Sequence, residues 1–203
     1  MFSVHFLVTA LVVVLIPGTG TLYTISTGVG HGRRAGVAAA LGCTLGIVPH
    51  LLASSLGLSA IMNMGAQVFS ALKFAGAAYL LYLAWRMWRD TGTVDLDPGP
   101  SGRTGAQVAW RGIVLNLLNP KLTIFFLAFL PHFIAGDPGS AGRQLVGLSA
   151  VFMVMTFVVF AGYALISDAA RSVLSGPSAM RRLQRSFAAV FAGLAVDLAL
   201  SKR

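Results

Sequence analysis

Apolar residues along the chain fall into six runs, 4–26, 36–62, 68–88, 112–135, 145–167 and 186–201, separated by short polar connections. The first five reach the ~20 residues with which a helix crosses a ~30 Å hydrocarbon core. No basic stretch precedes the first run, so it is read as a span of the mature protein and not a signal peptide. The sixth is shorter and holds Asp197. It is read as a thin sixth span, the alternative being an interfacial helix that leaves five. The pattern predicts an all-α membrane protein of six transmembrane helices.

Two runs are interrupted where apolar continuity is most expected. Pro17-Gly18-Thr19-Gly20 breaks the first, and Asn116-Leu117-Leu118-Asn119-Pro120-Lys121 breaks the fourth. Proline lacks an N–H, so Pro17 and Pro120 free the carbonyls of Val13 and Asn116, and Asn119 is pushed out of α geometry. Lys121 would cost ~2.5–3.5 kcal/mol at the centre of a spanning helix. Broken helices with polar contents are tolerated in a bilayer only against protein or a water-filled cavity. Both stretches are therefore read as a substrate site, comprising Pro17, Gly18, Thr19, Gly20, Asn116, Asn119, Pro120 and Lys121.

In the second run Gly42, Gly46, His50, Ser54 and Gly57 recur near one helical stripe, the small residues marking close helix–helix contact. His50 should face the bundle, either as a buried hydrogen-bonding residue or as a transport residue. Pro49 predicts a kink there. Lys73 is read as snorkelling to an interface, His132 as interfacial, and Cys43 as a small buried filler.

Charge refines the picture. Only 10% of residues are charged and mean hydropathy is +0.79, unlike a soluble domain. The net charge of +9 suggests nucleic acid until the cations are placed. Ten of the 15 Lys and Arg residues lie in the connections 27–35, 89–111 and 168–185 with the adjoining Arg86, against four on the opposite face: Lys73, Arg143, Lys202 and Arg203. That asymmetry puts the first set in the cytoplasm and both termini outside. Residues 1–88 and 112–203 then form two three-helix halves of opposite orientation, joined by a cytoplasmic loop at 89–111. Pro17–Ile25 can be laid on Pro120–Ala128, and Phe74–Ala78 on Phe191–Ala195. Paired breaks in inverted repeats point to a transporter site near the membrane midplane.

At such a site half-helix N-termini and Lys121 suit a carboxylate, while freed carbonyls at Val13 and Asn116 and the oxygens of Asn116 and Asn119 suit an ammonium. His50 and Asp197 are the candidates for exchanging a proton. An enzyme would need a reactive constellation, and neither Gly-x-Ser-x-Gly nor His-Glu-x-x-His is present. One cysteine cannot shuttle disulfides. No cofactor or metal is implied. A passive channel or facilitator for small polar solutes is the alternative, since broken helices also line pores.

These residues resemble the LysE/RhtB amino-acid exporter family nearly end to end. The similarity is carried by Pro17-Gly18, by His31-Gly32-Arg33-Arg34-Ala35-Gly36 and by Leu72-Lys73-Phe74-Ala75-Gly76-Ala77-Ala78-Tyr79-Leu80. Its most specific part runs from Arg111-Gly112 through Asn116-Leu117-Leu118-Asn119-Pro120-Lys121 to Phe125-Phe126-Leu127-Ala128-Phe129-Leu130-Pro131. The resemblance implies a homodimeric inner-membrane protein exporting amino acids or close analogues, driven by the proton gradient. The chain departs from the common family pattern at three places: Thr19-Gly20 replaces Pro-Asn, Ile47 stands where Asp is frequent, and Asp197 stands where a basic residue is.

Overall fold

The computed structural model describes residues 3–16, 18–63, 66–89, 102–134, 138–166 and 177–200. These are helical, with no strand among them. In chain order the helices are α1 (Val4–Leu15), α2 (Thr19–His31), α3 (Arg33–Leu45), α4 (Val48–Asn63), α5 (Ala66–Arg89), α6 (Gly105–Leu117), α7 (Pro120–Ile124), α8 (Pro138–Leu165) and α9 (Pro177–Leu200). A π-helical turn, Phe125–Phe129, and a 3₁₀ turn, Leu130–Phe133, continue α7.

By length and apolarity, Arg33–Gly57 and Ser140–Leu165 can each cross a membrane. Two bent pairs, α1 with α2 and α6 with the Pro120–Phe133 segment, qualify if each pair is one span, giving up to four among the described residues. Both pairs bend by 53° at the break. Helices α5 and α9 have 24 residues each, about 36 Å at ~1.5 Å per residue.

The breaks have local causes. Ile16 and Gly18 are extended, at φ −63°, ψ 121° and φ −135°, ψ −173°, so α1 stops and α2 restarts. Asn119 is also extended and caps α7, its Oδ1 accepting from the Lys121 backbone N–H, with Pro120 at the first helical position where no N–H is needed. Between α3 and α4, Gly46 and Ile47 form a turn just ahead of Pro49, at the place of the expected kink.

The core is a close pack of α2, α3, α6 and α8, with α1 and α4 laid on α8. The α3–α6 seam is backbone against backbone. A Cβ at Gly42 would fall on the Ala109 carbonyl, and one at Gly46 would lie 2.7 Å from the Ile113 oxygen. The small-residue stripe of the second run is this seam continued: beyond the two glycines, His50 and Ser54 also bond to the fourth run. The other helices, α5 and α9, pack chiefly on each other, and α5 reaches the rest through the π-helical turn.

Candidate functional site

Three prolines in this region each disturb a carbonyl, and for each the described residues supply a side-chain donor from another helix. Lys121 Nζ donates to the carbonyl oxygens of Val13 and Ile16, at 3.0 Å each, and Tyr163 Oη donates to that of Leu15 at 3.2 Å. The C-terminal carbonyls of α1, which the helix cannot satisfy itself, are thus capped from α7 and α8. Pro17 itself lies outside the described residues. The Asn116 carbonyl accepts the Asn119 backbone N–H and His50 Nε2, each at 3.1 Å. A carbonyl only accepts, so Nε2 carries the His50 proton.

The third case is not legible in the sequence. In π geometry the Phe126 carbonyl would be bonded by the residue five positions on, which is Pro131 and has no N–H. Ser54 Oγ donates to that carbonyl instead, at 2.9 Å. Pro131 after a run of phenylalanines is the available signal, but by pattern alone it marks only the end of the span.

The polar residues of the fourth run converge on the first break. Asn116, 2% exposed, donates through Nδ2 to the Cys43 carbonyl at 2.7 Å, and its Oδ1 accepts from Asn119 Nδ2 at 3.3 Å. Gly20 meets the same group: a Cβ there would stand 2.5 Å from Asn116 Oδ1. Gly18 faces Lys121 Nζ, 3.4 Å from where its Cβ would be. Thr123 Oγ1 lies 3.5 Å from His50 Nδ1 and 3.4 Å from the Asn119 carbonyl. Thus Gly18, Gly20, Asn116, Asn119 and Lys121 come together and His50 sits one layer behind them. Thr19, next to the break, is exposed. Asp197 falls on α9, and its side chain lies outside the described ones.

Two features distinguish the first turn of α2. Its N-cap is Gly18, which offers no side-chain cap, so the leading N–H groups are unoccupied by a capping oxygen. The Thr21 hydroxyl in that turn is buried, 1% exposed, without a hydrogen-bond partner. Beside Gly18 stands the Lys121 ammonium, with two of three donors used among the described residues.

A small cavity opens beside Lys121. It is lined by Val13, Ile124, Phe125 and Phe129, with Leu80 of α5 and Leu194 of α9 as the far wall. Its volume, about 10 Å³, is room for one water. Phe125 stacks on Phe152 with ring centroids 4.5 Å apart, which holds this wall of the cavity in place. None of the apolar lining residues stands out in the sequence, where they are indistinguishable from other core positions.

The LysE type translocator family matches residues 11–202. The chain is similar to a homoserine/homoserine lactone efflux protein of Salmonella typhimurium, 32% identical over 92% of this chain and 90% of that protein. It is 30% identical to an uncharacterized membrane protein of Vibrio cholerae, over 97% and 96% of the two chains. A leucine efflux protein of Enterobacter sp. is 29% identical over 77% of each. No solved structure matches.

Proposed function

Because the chain belongs to the LysE type translocator family, one of transporters and not of enzymes, we propose that it exports amino acids or close analogues across the inner membrane by proton antiport. The names of its relatives, efflux proteins for homoserine and for leucine, support the substrate class and the direction. The observation that carries the reading is the N-terminus of α2, without a side-chain cap, beside the Lys121 ammonium. A substrate carboxylate suits that position, taking the third Lys121 donor and the leading N–H groups of α2. Acceptors for the substrate ammonium are the remaining lone pairs of Asn116 Oδ1 and Asn119 Oδ1. The Val13 and Asn116 carbonyls are less suited, since Lys121 and His50 already hold them.

Six spans in two inverted halves, 1–88 and 112–203, would alternate access by rocking one against the other, with both termini outside and 89–111 in the cytoplasm. His50 and Asp197 are the proton-exchanging candidates, and a homodimer is the proposed assembly. The test is made with full-length protein in liposomes bearing an imposed pH gradient. A labelled neutral amino acid should accumulate above equilibrium. Simple equilibration would mean a passive facilitator, and no flux of any amino acid would overturn the reading. Reporter fusions at residue 95 and at both termini check orientation, a cytoplasmic C-terminus removing the sixth span.

A further inference from the structure

The cavity beside Lys121 is lined, apart from Lys121 itself, only by hydrocarbon side chains. We propose that it receives the substrate's side chain, and that Leu80 and Leu194 make the site selective for neutral amino acids with aliphatic side chains. This rests on the reading of Lys121 as the partner of the substrate carboxylate. A carboxylate on that ammonium leaves the adjoining side chain facing Ile124, Leu80 and Leu194. A cationic side chain would be repelled by Lys121 at short range in a medium of low dielectric. A hydroxyl would give up water and find no hydroxyl, amide or carboxylate side chain on the lining residues.

At about 10 Å³ the cavity is far too small for an aliphatic side chain, so a wall must recede for substrate to enter. The Val13 wall is fixed to the α7 side by the Lys121 bonds, and Phe125 is stacked between Phe129 and Phe152 of α8. Leu80 and Leu194 belong to the α5–α9 pair, whose main packing is internal to the pair. That pair is the wall able to move as a unit without breaking the hydrogen bonds of the site. The two leucines then close over the side chain, and their fit decides which side chain is accepted.

The experiment uses full-length protein in liposomes and compares uptake of labelled leucine, homoserine and lysine under one imposed gradient. An apolar pocket rejects an added hydroxyl by roughly a hundredfold at most, so leucine should exceed homoserine by about tenfold or more, with lysine at background. Leu80→Thr and Leu194→Thr should each narrow the leucine-to-homoserine ratio by several-fold, and Leu80→Met and Leu194→Met should keep it. Robust transport that favours homoserine or lysine overturns the inference while leaving the transporter reading intact. So does an unchanged ratio in Thr variants that still transport. If those variants do not fold, the wild-type ratio alone decides. Absence of flux for all three amino acids overturns the transporter reading and this inference with it.

Discussion

The two helix breaks bend by the same 53°, yet they are built from opposite chemistry. The first contributes mainly backbone: the carbonyls of Val13, Leu15 and Ile16 and the N-terminus of α2, with Gly18 and Gly20 keeping side chains out of the way. The second contributes side chains, and caps its own restart with Asn119. One break supplies acceptors and an empty helix N-terminus, the other a cation and two carboxamides. The proposed site draws on both. Their asymmetry shows how two related interruptions can make one polar centre without placing like groups against each other.

The most severe way to break the comparison is to remove the group that spans it. Lys121→Ala should abolish transport and leave two acceptors of α1 unpaired, at a cost of about 1–3 kcal/mol each. Lys121→Gln keeps amide donors without the charge, and efflux assays normalised to protein in the membrane should find it inactive too. Normal transport by the Gln variant would make Lys121 a strap between the breaks and not a binding group.

A wedge between the breaks should act next most strongly. Gly20→Ala puts a Cβ 2.5 Å from Asn116 Oδ1 and 3.0 Å from Phe160, so Asn116 must turn away from Asn119. Overpacking of this kind costs about 1–3 kcal/mol, to be read as a lower melting temperature in detergent. A melting temperature equal to wild type would show that the two breaks are not in register-tight contact.

Asn119→Ala acts chiefly at the second break. Loss of the cap should cost ~1 kcal/mol and weaken transport in part, while the first break keeps its Lys121 bonds. Transport falling to the Lys121→Ala level would mean that the carboxamide is as necessary as the charge.

The smallest expected change is in His50→Gln. Glutamine can still donate to the Asn116 carbonyl but cannot titrate, so folding and rate at one pH should hold while the pH dependence of transport flattens. An unchanged pH profile would confine His50 to its carbonyl and leave proton exchange to Asp197 or the substrate.

Much of this arrangement is legible in the residue pattern. Prolines inside apolar runs announce freed carbonyls, and a period of four in Gly42, Gly46, His50 and Ser54 announces a seam. The partners of those carbonyls are not legible. Val13 is satisfied by a residue 108 positions away and Phe126 by one 72 positions away, pairings set by helix packing and not by local pattern. By pattern alone the Val13 and Asn116 carbonyls fall to a substrate ammonium, because nothing local can fill them. The π-helical turn escapes for a similar reason: Phe125–Phe129 has the composition of any apolar helix, and only the register against Pro131 shows the difference.

The Lys121 bonds also bear on how the protein is made. Translation delivers α1 to the bilayer long before residue 121 exists, so the carbonyls of Val13 and Ile16 wait in the membrane for a donor 108 and 105 residues downstream. An acceptor without a partner in hydrocarbon is costly, which leaves the first three runs an incomplete folding unit until the fourth arrives. Cut within 89–111, the chain should yield an N-terminal fragment that is degraded when expressed alone and rescued when the C-terminal fragment is made in the same cell.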